Sequence, residues 1–163
     1  MKLKNGANIV KNNLSQLREA MHRLTLKSVM VGIPSDKASR DEDTPLNNAA
    51  IGYIHEHGAP EMNIPARPFL IPGIAACKDS VVKQFSLAAR RSIKGDAAAV
   101  EQGLNRAGLV AQNSVRRVIN TGIAPALAES TLNARRRRGK TRTKPLIDSG
   151  QLRNAVVYTI RNK

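Results

Sequence analysis

Three constellations in this 163-residue chain hold side chains with chemical potential. His55, Glu56 and His57 are adjacent. On a helix, positions i and i+2 point about 200° apart, so the two imidazoles do not share one ion. The helical zinc pair needs i, i+4 spacing with a Glu between, and that spacing is missing. Asp36, Asp41, Glu42 and Asp43 form an acidic group without calcium-loop spacing, and a solvated loop accounts for it better. Cys77 is the single cysteine and has no histidine partner nearby in sequence. It reads as a small buried helix residue. One cysteine excludes an internal disulfide and a thiolate cluster, which suits a reducing compartment. No G-x-S-x-G occurs, and the glycines of "GIP" and "GIAACKDS" lack the lysine spacing of a phosphate loop. The expectation is a protein with no catalytic residues, no metal and no cofactor. His22 reads as a plain surface group.

The third constellation is basic. Residues 133–144 carry seven cations: Arg135, Arg136, Arg137, Arg138, Lys140, Arg142 and Lys144. Like charges at this density repel one another into an open loop unless anions are near. Phosphates would satisfy them, with release of counterions. Neither stacking aromatics nor a base-reading helix accompanies the run, so any nucleic-acid contact would be blind to sequence. Three readings stay open on charge alone: a solvated loop that orders on binding, an acidic protein partner, or DNA or RNA.

The whole chain shares this bias. Its net charge is +15. Residues 1–96 hold 14 Lys/Arg against 9 Asp/Glu, and residues 97–163 hold 13 against 3, so the excess lies toward the C-terminal end. Such a field attracts polyanions and says nothing about fold. At 41% hydrophobic residues a packed core is feasible, built from aliphatics because only two Phe, two Tyr and no Trp are present. The length suits a single domain over 1–163. The start, "MKLKNGANIVKNN", lacks the apolar stretch of a secretory signal, and no run of about 18 apolar residues suggests a membrane span.

The elements follow from periodicity. Val10, Leu14, Leu17, Met21 and Leu24 make an apolar stripe on a helix over residues 8–25. In "KSVMVGIP", Val29, Val31 and Ile33 alternate with polar or small neighbours, giving a strand that Pro34 ends. Residues 34–46 read as a mobile charged loop. "NNAAIGYIHEHGAP" gives a short helix with Ile51 and Ile54 inward, stopped by Gly58. "MNIPARPFLIPG" is stiff and extended, because Pro65, Pro68 and Pro72 fix φ and remove donors. A long helix runs from Ile74 with Val81, Phe85, Ala88 and Ser92 on one face. Asp96 caps the next helix, whose stripe is Val100, Leu104, Ala107, Ala111, Val115 and Val118. Ser130 starts a short helical turn, and residues 133–144 form a second mobile loop. Asp148 and Gln151 have capping-box spacing. "AVVYTIRN" alternates as a C-terminal strand. The predicted fold class is α+β, a small mostly antiparallel sheet packed against several helices.

Two segments, in order, resemble a known family. They are "IGYIHEHGAPEMNIPARPFL" (51–70) and "TLNARRRRGKTRTKPLIDSGQLRNAVVYTI" (131–160), about fifty residues together. They are similar to the tail-completion or tail-terminator proteins of long-tailed bacteriophages, also called head–tail joining or neck proteins. The matching positions are Glu56 and Gly58; Ile64, Pro65, Arg67, Pro68 and Phe69; and Lys144, Pro145, Leu146, Asp148, Ser149, Gly150 and Leu152. The resemblance implies a virion protein, assembled in the host cytoplasm. It implies a ring of copies, usually six, that closes the tail tube and meets the head connector or stopper, with genomic DNA passing through the lumen. Arg67, between two prolines, is then a rigidly displayed contact, or else a local carbonyl or ion-pair contact. Asp148 is a helix cap. In a six-fold ring the basic run recurs as about forty cations at one level, facing DNA or an acidic ring. The acidic ring is the better fit, because a lumen gripping DNA hinders its release. The alternative is a small, basic, sequence-independent nucleic-acid-binding protein. A nuclease is disfavoured, since no carboxylate cluster accompanies the basic groups.

Overall fold

The computed structural model describes residues 14–15, 17–19, 21–23, 25–40 and 45–163. Its class is α+β: helices dominate, and one two-stranded antiparallel sheet joins β1 (Lys27–Gly32) to β2 (Val157–Asn162). Lys163 N donates to Leu26 O and Ser28 Oγ to Arg161 O, which sets 26 opposite 163 and 28 opposite 161. Six helices follow β1 in order: α1 (Asn48–His57), α2 (Leu70–Ala76), α3 (Lys78–Ile93), α4 (Ala99–Thr121), α5 (Glu129–Arg137) and α6 (Gln151–Ala155). Among the described residues, no helix is long and apolar enough to cross a membrane.

The chain forms two compact units, each discontinuous in sequence. One contains Lys78–Val110 and Thr159–Lys163 with the described residues up to Met30; the other contains Val31–Cys77 and Ala111–Tyr158.

In the first unit, α3 and the first half of α4 pack through small residues. Ala88 is buried on α3, and Gly103 of α4 leaves no room for a Cβ beside the Ala88 methyl. Val100, Leu104 and Ala107 are buried on the stripe that the period predicts. Asp96 Oδ1 accepts from Ala98 N at the start of α4, and Arg91 binds Asp96 Oδ2 at 2.6 Å. Lys27 and Glu101 pair at 2.7 Å. The described residues between 14 and 25 are helical, but Leu14 and Met21 of the expected stripe are both 56% exposed; Val10 and Leu24 lie outside the described residues. His22 is exposed, as the sequence suggests.

The second unit holds the larger aliphatic core. Phe69, Val115, Ile119, Leu146, Leu152 and Val156 are buried together, with Val31, Ile33 and Ile51 packed against them. Val115, Ile119 and Val156 are fully removed from solvent. At about 25 cal/mol per Å² of apolar area, such side chains supply most of the driving force.

Several expectations need correction. The long helix from Ile74 is two helices. It begins at Leu70, with Pro72 in its first turn where no amide is needed, and it breaks at Cys77. Cys77 is buried, and its Sγ contacts Ile74 O. Ahead of the stiff proline segment, Ala59 and Ile64 make a single antiparallel bridge. The 34–46 segment is not wholly loop: Ser35–Lys37 is a 3-10 turn, and Ala38 is buried with its carbonyl accepting from Asn48 N. Asp41, Glu42 and Asp43 lie outside the described residues. In the basic run, residues 133–137 are helix, the latter part of α5, rather than loop.

Candidate functional site: buried arginines beneath a cationic surface

The family-like positions all fall in the second unit, and their backbone explains why they meet. Asn47 caps α1 by accepting from Ala50 N. Gly58 ends it at φ +81°, and a Cβ there would lie 2.9 Å from Ala66 N, so only glycine lets the chain turn back this tightly. The return path brings the 65–69 segment along α1, with Arg67 N donating to His55 O. Glu56 then does something the sequence did not reveal. Its Oε2 accepts from Phe69 N and Leu70 N, and its Oε1 from Ile71 N, at 2.8–3.0 Å. One carboxylate thus covers three amides at the start of α2, satisfying donors that have no intrahelical partner. Ile64 pairs with Ala59 before this strap, and Pro65 and Pro68 fix φ along it.

Arg67 is not displayed. It is 5% exposed, and its Nε and Nη2 donate to Pro125 O and Ala126 O at 2.8 and 2.9 Å. The local carbonyl contact is therefore the correct half of the expectation. Its cation lies beside His55, whose pKa is lowered by burial and by the Arg67 charge, both of which disfavour the imidazolium. His57 instead packs against Tyr53, with ring centroids 4.4 Å apart. Among the described residues no cluster of three metal-ligating side chains exists.

Arg135 is likewise buried, at 6% exposure. Its Nη1 donates to the carbonyls of Arg142, Lys144 and Ile147 at 2.9–3.1 Å, so one guanidinium ties down the chain that follows α5. That chain leaves the helix through Gly139 at φ +71°, where Lys140 N reaches back to Arg135 O. It then enters the core at Pro145 and Leu146. Leu146 takes φ +61°, a conformation that costs about 1 kcal/mol, and its burial offsets that cost.

Asp148 is not a helix cap. Gly150 occupies the cap position of α6, with no side-chain cap bond. Asp148 Oδ2 binds Lys140 Nζ at 2.7 Å, Oδ1 faces Arg135 Nε at 3.5 Å, and Arg138 lies 3.9 Å away. Burial pushes the Asp148 pKa up. The hydrogen bond and charge of Lys140, with the charges of Arg135 and Arg138, outweigh burial and hold it below the ordinary carboxylate value. A carboxyl depressed in the folded state contributes stability that is present above its unfolded pKa, about 3.9, and is lost as pH falls through the folded value. Asp148→Asn is therefore expected to be less stable than the wild type at pH 7 and to lose less on acidification to pH 3. Urea unfolding at the two pH values measures both.

The surface cations are fewer than the sequence suggests. Of the seven, Arg135 is buried and Lys140 is committed to Asp148. Lys144 is exposed, and its Nζ donates to Asn120 O. Arg136 reaches Glu129 at 3.0 Å on the surface, and Arg142 touches Asp148 O at 3.4 Å. Arg137 and Arg138 are exposed at the end of α5. A second basic feature escaped the sequence reading because its members are scattered. An open groove of about 410 Å³ is lined by Asn113, Arg116, Arg117, Asn120, Arg153 and Asn154. Arg116 is anchored there, donating to Val156 O and Asn154 O. Its pKa is lowered by burial and by Arg153. Arg116 and Arg117 of α4 meet Arg153 of α6 across this groove, and Asn120 in its wall also accepts from Lys144 of the basic run.

No protein-family model, curated protein or solved structure matches the chain.

Proposed function

We propose that the chain is a structural subunit of the neck of a long-tailed bacteriophage, a copy in a ring that completes or terminates the tail and joins it to the head connector. One observation carries this reading. The two separated segments that resemble such proteins are packed into one core: Phe69 from the first lies with Leu146 and Leu152 from the second. The polar members of the same segments support it, because Glu56, Arg67 and Asp148 each hold backbone or a neighbouring cation. A subunit of this kind transforms no substrate and carries no cofactor. Its partners are further copies of itself, the tail tube protein and the connector or stopper, with genomic DNA passing through the lumen. The exposed arginines at the end of α5 are the contact surface in this scheme, set opposite an acidic ring.

The decisive variant reverses charge where only exposed contacts are lost, those of Arg136 with Glu129 and Asn133. Arg136→Glu with Arg137→Glu leaves Arg135, Arg138 and Lys140 facing Asp148. The double variant is expected to unfold within about 1 kcal/mol of the wild type, since exposed pairs contribute little. It should lower the yield of joined particles by about tenfold or more. Electron microscopy of lysates would then show filled heads beside unattached tails, and undiminished joining would overturn the proposal.

The groove of Arg116, Arg117 and Arg153 favours a second reading, a basic nucleic-acid-binding protein without a virion role. That protein binds duplex DNA on its own, with log affinity falling linearly in log salt.

A further inference from the structure

A cleft of about 210 Å³ in the second unit lies over the two buried arginines. Among the described residues, Arg67 and Arg135 line it together with Arg40, and Asp148 is the carboxylate there. That carboxylate already faces Lys140 and Arg138 as well as Arg135, so the cleft keeps a cationic excess. Two guanidinium nitrogens are unused. Arg67 donates only through Nε and Nη2, and Arg135 Nη2 makes no hydrogen bond among the described residues. Thr131 and Ser149 add hydroxyls that carry no bond among the described residues, and His55 has a buried, unpartnered Nδ1. The remaining wall is aliphatic: Ile51, Leu127, Leu146 and Leu152.

The geometry points to a receptor for an acidic side chain, a Glu or Asp presented by a segment of another protein, with apolar neighbours on that segment. A carboxylate satisfies the two idle guanidinium donors, and charge-assisted bonds of this type are the strong ones. The aliphatic wall accepts the methylenes that carry the carboxylate. The aliphatic wall favours a side-chain carboxylate over a phosphate, which brings no apolar stem to cover Ile51, Leu127, Leu146 and Leu152. The two idle donors keep solvent access in the free chain, and docking would exchange that water for a charge-assisted bond. The inference stands on the cleft alone and does not need the neck reading.

The test uses the full chain and three probes: the peptide acetyl-Leu-Glu-Leu-amide, its Gln counterpart, and inorganic phosphate. Side-chain Nε–H resonances of Arg67 and Arg135, with the His55 imidazole signals, report the cleft by NMR. The Glu peptide is expected to shift them saturably, about tenfold more tightly than the Gln peptide, since a charged hydrogen bond lost is worth at least that factor. Thr131 is exposed, so Thr131→Glu places a competing carboxylate at the rim without touching the arginine bonds. It should remove the peptide response while the unfolding midpoint stays near that of the wild type. Equal response to both peptides, no response to either, or response to phosphate in place of the Glu peptide would overturn the assignment. Because the readout is local to the cleft, its failure leaves the particle-joining result untouched.

Discussion

Arg135→Ala should unfold far more easily than the wild type, whereas Arg137→Ala, two residues along the same helix, should scarcely differ. The contrast follows from burial. Arg135 is 6% exposed and its Nη1 serves three carbonyls, those of Arg142, Lys144 and Ile147. Deleting it strands three acceptors and leaves Asp148 with less cationic company. Removing one partner from a buried charged network costs about 3–5 kcal/mol, because the groups left behind stay desolvated. In a chain of this length that corresponds to a fall of about 10 °C in Tm. Arg137 makes no such contacts, and its replacement should stay within about 0.5 kcal/mol. Lysine at 135 should recover only part of the loss, since one ammonium cannot reproduce a planar guanidinium fork. Thermal and urea unfolding of the three variants settle the order. The same contrast governs the assembly experiment: a charge reversal that included Arg135 would confuse lost folding with lost joining.

Gly73→Ala is the second large effect. Alanine is the better helix former by about 1 kcal/mol, so local propensity favours the change. Packing forbids it. An added Cβ would sit 2.6 Å from Val115 Cα and 2.8 Å from its Cγ2, with Val115 N at 3.1 Å. Two of these three atoms are backbone and cannot rotate away. The α2 helix must retreat from α4, loosening the contact on which Val115 and Phe69 depend. The net loss is expected to be about 3 kcal/mol, at the upper end for overpacking. Gly32→Ala is the matched control. Nothing lies within 4 Å of its added Cβ, and stability should hold or rise slightly. Urea midpoints for the pair separate a steric cause from a generic glycine effect.

Regular repetition made much of the fold legible in sequence. The α4 stripe from Val100 to Val115 is buried as its spacing requires, and both strands lie where alternation puts them. Gly58 stops α1 as expected. Charge was the misleading signal. Arg67 and Arg135 look like surface groups in a run of polar or stiff residues, yet each is buried because backbone carbonyls of a distant or returning segment receive it. No local pattern encodes such partners. Asp148 and Gln151 had the right spacing for a cap, but Gly150 took the cap position and three cations took the carboxylate. Glu56 stands in a motif, but its three-amide contact depends on a turn at Gly58 that brings residues 69–71 back to α1. The groove around Arg116, Arg117 and Arg153 was hidden because its members are separated by some forty residues.

The second unit's core has a consequence for how the polypeptide is made. Val31, Ile33, Ile51 and Phe69 leave the ribosome early, but the surface they pack on includes Leu146, Leu152 and Val156. Until those later residues emerge, the early segments have only part of their apolar counterpart, Val115 and Ile119, to close upon. They wait as an incomplete surface of the kind that chaperones hold and that aggregates when crowded. A message truncated before residue 146 therefore yields a product that lacks Leu146, Leu152 and Val156 and cannot complete this core.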